Sequence, residues 1–92
     1  VAPMALDMGL VNEVVEDEHL FRHAMETAVR LAQGPTLAYG KVKALFDQSW
    51  NKDIETQLNA ETEALANIGL TADFQEGIKA FTERRKARFQ GK

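Results

Sequence analysis

From residue 18 to about residue 86, apolar residues recur at the spacing of a helix, and only breakers and caps interrupt them. That pattern allows a helical fold and leaves almost nothing from which to build a sheet. Over 18–33, Leu20, Phe21, Ala24, Met25, Ala28, Leu31 and Ala32 share one side, and His19, His23, Glu26 and Arg30 line the other. Asp17 is placed as the N-cap, with Glu18 at the positive end of the helix dipole. Gly34 stops this helix and Pro35 opens the next at its first position. The second helix is expected over 35–48, with Leu37, Ala38, Val42, Leu45 and Phe46 inward. Gly40 inside it implies close packing, since glycine costs about 1 kcal/mol against alanine there. Trp50 and Asn51 end that element. A third helix over 54–68 is capped by Asp53 and closed by Gly69, with Leu58, Leu65 and Ile68 as its stripe. A fourth over 72–86 is capped by Thr71, with Phe74, Ile78 and Phe81 on one face. The one β-favouring run is "GLVNEVVEDE", where Val11, Val14 and Val15 predict a short extended segment. A lone strand has no ladder of its own, so it pairs outside the chain or stays irregular.

The predicted class is therefore all-α, four short helices preceded by one short extended segment. Residues 1–16 read as the remnant of an upstream domain and 17–92 as a helical region. Helices near the ~12–15 residue limit are marginal alone, so tertiary packing must hold them. A chain of 92 residues buries only about 60–65% of its unfolded surface, and its stripes offer more apolar face than a small bundle hides. There is no cysteine, hence no disulfide and no thiolate metal site. No apolar run is long enough to span a membrane. The start, "VAPMALDMG", has neither the basic segment of a signal peptide nor an initiator Met. The expectation is a cytoplasmic protein cut from something longer.

Charge is distributed unevenly. Residues 1–78 carry 13 acids against 5 bases, and 79–92, "KAFTERRKARFQGK", carry 6 bases against 1 acid. Such an asymmetry points to an anionic partner for the tail or to docking on an acidic neighbour. On a helix continuing to 86, Phe81 and Arg84 share a face, with Arg85 and Arg88 one turn on. A ring beside guanidinium groups suits a base-bearing phosphate ligand: the ring stacks on adenine and arginine forks onto phosphate. Spacing alone favours the plainer alternative, Phe81 in the core and the arginines solvated at a helix C-terminus.

Other candidates are weaker. His19 and His23 are four apart, a spacing that can bring two imidazoles to one metal, but only Glu16 or Glu26 is near as a third ligand and no HExxH is present. They read as a solvated face, and no metal site is expected. Glu61 and Glu63, two apart, do not face each other on a helix and form no acid–base pair. No glycine-rich phosphate loop and no GxSxG are present. No catalytic residue can be named.

Taken in order, "GLVNEVV", a helix ending in "LAQGP", a lysine in the next helix (Lys41 or Lys43) and "DFQEGIKAFTERRKARFQGK" make the chain from Gly9 to Lys92 resemble the C-terminal end of the enoyl-CoA hydratase/isomerase, or crotonase, family. "GPTLAYGK" looks most like the branch acting on ring-derived acyl-CoAs in phenylacetate degradation. The resemblance implies a parent subunit whose upstream ββα core carries the chemistry. Two backbone N–H groups there polarise the thioester carbonyl and acidic side chains move protons, all upstream of Val1. It implies that this part packs subunits into trimers, often dimerised to hexamers. It also implies a terminal "AFxxKRK" helix lying over the coenzyme A of a bound substrate, commonly in a neighbouring subunit. Carried over by position, Phe81 contacts the adenine and Arg84 the phosphate. Arginine stands where lysine is usual, which changes reach and geometry.

The resulting expectation is a fragment of an enoyl-CoA hydratase or isomerase, inactive alone, that supports assembly and part of the CoA-adenine site. Its partners would be an acyl-CoA substrate and further copies of itself, with no nucleic acid, no membrane and no cofactor beyond the substrate's coenzyme A. The alternative is a free-standing helical interaction module whose basic tail binds an acidic protein or RNA.

Overall fold

Five helices and no strand make up the structure, a computed structural model describing residues 1–92: α1 Ala2–Asp7, α2 Asp17–Ala32, α3 Thr36–Ser49, α4 Ile54–Gly69 and α5 Ala72–Thr82. The chain divides into two compact units, Val1–Arg30 and Leu31–Lys92. No helix is long and apolar enough to cross a membrane.

The first unit contains the helix that periodicity does not announce. Pro3 stands in the first turn of α1, where its missing N–H costs nothing. Gly9, at φ 72°, turns the chain out at the other end. Its N–H donates to the carbonyl of Leu6 at 3.0 Å and the N–H of Leu10 to that of Ala5 at 2.9 Å, the paired bonds of a Schellman cap. Val11, Val14 and Val15 follow in irregular backbone without a ladder, the outcome for a lone strand with no partner here. Asp17 is the first residue of α2 rather than its cap. The α2 stripe is uncovered, with Leu20, Phe21 and Met25 all exposed.

In the second unit α3 packs on α4 and α4 on α5. Pro35 sits one position earlier than expected, as the N-cap of α3. A Cβ at Gly34 would collide with the ring and hydroxyl of Tyr39, so the ring lies over that glycine. Gly40 has no such neighbour; an added Cβ would meet nothing within 4 Å, and the expected close packing is absent within the chain. Asp53 caps α4, accepting the Thr56 N–H at 2.7 Å, and that bond holds its carboxyl below the usual range. Gln57 ties α4 to α3 by donating to the carbonyl of Leu45 at 3.5 Å.

Only two side chains are buried, Ala80 and Asp73. The apolar faces assigned to an interior are largely open, with Phe46, Leu58 and Leu65 exposed, and Trp50, Ile54 and Leu70 are exposed beside them. Fully burying one such side chain is worth about 1.5–3 kcal/mol, so the six together leave roughly 10 kcal/mol of burial unrealised. That is on the scale of a whole domain's net stability of about 5–15 kcal/mol. These faces have the composition of surfaces that other polypeptide covers.

Candidate functional site

The candidate site is built on α5 and the segment after it. Thr71 starts the helix: its hydroxyl accepts the Phe74 N–H at 3.1 Å and donates to the carbonyl of Ile68 at 2.7 Å. The helix then ends at Thr82, four residues earlier than periodicity predicts. Glu83 is the C-cap and Arg84 takes φ 53°, the one non-glycine residue with positive φ. The Arg84 N–H donates to the carbonyl of Phe81 at 3.2 Å and the Arg85 N–H to that of Ala80 at 3.0 Å. Phe81 and Arg84 therefore do not share a helical face, and Arg85 and Arg88 do not continue one. Helix-favouring side chains at 84–86 are overridden by tertiary contacts that draw the tail back.

Those contacts are three. Arg85 forks onto Glu76, Nη1 to Oε1 at 2.6 Å and Nη2 to Oε2 at 3.0 Å, while its Nε donates to Glu83 at 2.5 Å. The Arg88 N–H adds a bond to Glu76 Oε1 at 2.8 Å. Phe89 lies over Gly77, where an added Cβ would sit 3.6 Å from its ring. Asp73 then accepts the N–H groups of Gln90 at 2.7 Å and Gly91 at 2.8 Å, and its own N–H donates to the carbonyl of Lys92 at 2.8 Å. The tail is a strap laid along α5. Asp73 and Glu76, three apart, share one helix face, a spacing visible in the sequence once a returning tail is assumed.

The electrostatics follow. The Arg85 guanidinium, with the Arg88 N–H, holds the Glu76 carboxyl down at about 2, and Glu76 with Glu83 pushes Arg85 upward. Arg85 is thus committed to structure, whereas Arg84 is exposed and in no ion pair. Phe81 is 86% exposed, so within this chain it is not a core residue. An exposed ring and an exposed guanidinium outside any ion pair thus both stand at the end of α5, on residues joined by a backbone hydrogen bond.

The remaining candidates are elsewhere. His23 bonds to Glu13, and His19 lies 3.5 Å from Glu18. Glu61 accepts from Gln57 at 3.2 Å, and Glu61 and Glu63 are both exposed. An apolar groove of about 570 Å³ runs between α3 and α4, lined by Val42, Leu45, Phe46 and Leu65 among others. The buried Gln57 Oε1 in it has no hydrogen-bond partner. It includes neither Phe81 nor Arg84.

Residues 2–92 match the sequence profile of enoyl-CoA hydratase/isomerase. The chain belongs to the enoyl-CoA hydratase/isomerase family. It is 34% identical over 91 residues to a 1,2-epoxyphenylacetyl-CoA isomerase of Escherichia coli, an alignment covering 99% of this chain and 35% of that protein. It is 35% identical over 91 residues to a crotonyl-CoA hydratase of Syntrophomonas wolfei, with the same coverage. Among solved structures, an enoyl-CoA hydratase subunit of Geobacillus kaustophilus superposes with a TM-score of 0.91 at 35% identity, over 99% of this chain and 35% of that one. The chain thus spans about 35% of the length of the enoyl-CoA hydratase/isomerase proteins it matches.

Proposed function

We propose that this chain is the C-terminal helical part of an enzyme that adds water to, or shifts, a double bond in an acyl-CoA thioester. In that reading Phe81 stacks on the adenine of the coenzyme A and Arg84 meets its phosphate. Residues 17–92 also dock onto other copies of the subunit. The observation that carries the reading is the pairing of an exposed ring with an uncommitted guanidinium at the end of α5, in a chain whose relatives are named for CoA substrates. The open faces of α2, α3 and α4 support the assembly role. The phenylacetate branch is supported by the isomerase relative and by the wording of residues 34–41. The chain itself carries no placed acid–base pair, so turnover belongs to the whole subunit.

In the full-length subunit, Phe81→Ala should raise KM for crotonyl-CoA rather than lower kcat. The adenine is remote from the reacting carbons, so its contacts are equal in ground and transition states. Base stacking on an aromatic is worth about 1–3 kcal/mol, or about five- to a hundredfold in KM. Arg84→Ala should act likewise, with a dependence on salt that Phe81→Ala lacks. Crotonyl-pantetheine, which lacks both adenine and ribose phosphate, is the control. Equal losses on both substrates would return Phe81 to a purely structural role.

A further inference from the structure

The chain makes the same helix ending twice. At α1 the residue in the left-handed position is Gly9, and at α5 it is Arg84. Both endings carry the same two backbone bonds, one from the left-handed residue to the carbonyl three before it and one from its successor to the carbonyl five before. Glycine adopts that backbone freely and a residue with a Cβ does not. An arginine there is less stable than a glycine, and a side chain kept at such a position points to what the side chain does. The Arg84 guanidinium, like that of Arg88, is in no ion pair, whereas its neighbour Arg85 is held on Glu76 and Glu83.

What holds Arg84 in this conformation lies beyond it. The strap is fastened at its near end by the Glu76 carboxylate, on Arg85 and on the Arg88 N–H, and at its far end by the Asp73 carboxylate, on Gln90 and Gly91. Phe89 fills the space over Gly77 between them. With both ends fixed, the turn at 83–85 has little freedom. The direction in which the chain leaves α5 is set by two carboxylates on one face of that helix.

We propose that Glu76 and Asp73 are positioning residues for the Phe81–Arg84 pair: by fastening the strap they hold Arg84 in its left-handed place, its guanidinium unpaired at the helix end that displays Phe81. Neither carboxylate touches the ligand. Their negative charge is absorbed by Arg85 and by backbone N–H groups, so Arg84 stays available to an anion. The inference rests on the reading of Phe81 and Arg84 as an adenine and phosphate site.

The test compares kcat/KM on crotonyl-CoA with that on crotonyl-pantetheine in the full-length subunit, alongside hydrogen exchange at residues 84–91. Arg84→Ala should lower the ratio by about tenfold or more, the scale of a lost charged hydrogen bond. Glu76→Gln should speed exchange along the strap and lower the ratio by about three- to tenfold, a part of the same contact, through KM. The reversed pair Glu76→Arg with Arg85→Glu should recover only part of it, since an arginine at 76 cannot accept the Arg88 N–H and a glutamate at 85 faces Glu83. Arg84→Gly should lower the ratio as Arg84→Ala does, yet raise the thermal midpoint. If Glu76→Gln loosens the strap but keeps the wild-type ratio, the positioning role is wrong while the site stands. If Glu76→Gln leaves the strap amides as protected as in wild type, Glu76 is no fastener and the proposal fails there. If Phe81→Ala and Arg84→Ala keep the wild-type ratio, the adenine and phosphate reading fails and the positioning role goes with it.

Discussion

Asp73→Ala removes the carboxylate that fastens the end of the strap. Asp73 is 4% exposed, and its oxygens accept two N–H groups, at 2.7 Å from Gln90 and 2.8 Å from Gly91. A hydrogen bond to a charged group contributes about 1.5–3 kcal/mol, so the pair amounts to about 3–6 kcal/mol if the tail stayed in place. It need not stay. Once released, both N–H groups meet water, and the loss is limited to the free energy that holds the last residues down. The bond from the Asp73 N–H to Lys92 survives in principle, as does the packing of Phe89 on Gly77. The expected loss in local opening free energy is therefore about 3 kcal/mol, the low end of the range. That corresponds to exchange about 150-fold faster at the Gln90 and Gly91 amides. The helices need not open, so amides inside α4 should keep their protection. Asp73→Asn retains one acceptor oxygen but turns an N–H₂ toward the other donor, and should fall between. The measurement is amide exchange by NMR across the three proteins. If Asp73→Ala leaves Gln90 and Gly91 as slow as in wild type, the strap is held by something other than this carboxylate. If every amide of α3, α4 and α5 accelerates together, the tail is part of one cooperative unit and not a separable strap.

Two further predictions concern the same helix. Thr71→Ala removes the hydroxyl that caps α5 and should cost about 1 kcal/mol, seen as a lower denaturation midpoint, with Thr71→Ser close to wild type. Glu76 is held at about 2 in the folded chain against its ordinary value of 4.5. A depressed carboxylate stabilises fully above about pH 4.5 and loses that contribution as the pH falls through about 2. Its side-chain carbon signal should therefore titrate near pH 2, and Arg85→Ala should return it toward 4.5.

Local signals carried most of the helical layout. Asp53 and Thr71 sit where their side chains can accept an N–H three residues on, and both do so in the fold. The ends of α2, α3 and α4 fall within a residue or two of the positions set by Gly34, Trp50 and Gly69. α1 was hidden because six residues are too few to show a period, although Pro3 and Gly9 mark its two ends. The end of α5 was hidden for a different reason. Arg84, Arg85 and Lys86 all favour helix, and nothing local says that the Glu76 and Asp73 carboxylates will draw back residues nine to eighteen positions further on. On a helix continued to residue 86, Phe81 and Arg84 share a face. In the fold it is a backbone turn that joins them, the Arg84 N–H donating to the Phe81 carbonyl.

The exposure of Phe81 also bears on how this region can work. A ring that filled the chain's own core would be fixed by packing and unable to meet a ligand without cost to the fold. Here the preceding residue, Ala80, on a different side of the helix, is the buried one, while Phe81 projects. Stability at this point rests on Ala80, Asp73 and the strap, and in the proposed reading recognition falls to Phe81 and Arg84. Because the two tasks fall on different residues, Ala80→Val should injure folding through overpacking by about 1–3 kcal/mol. Phe81→Ala, which removes little that is buried within the chain, should leave the thermal midpoint nearly where it was. A midpoint that falls as far for Phe81→Ala as for Ala80→Val would mean that the ring is covered in the assembled protein and belongs to an interface instead.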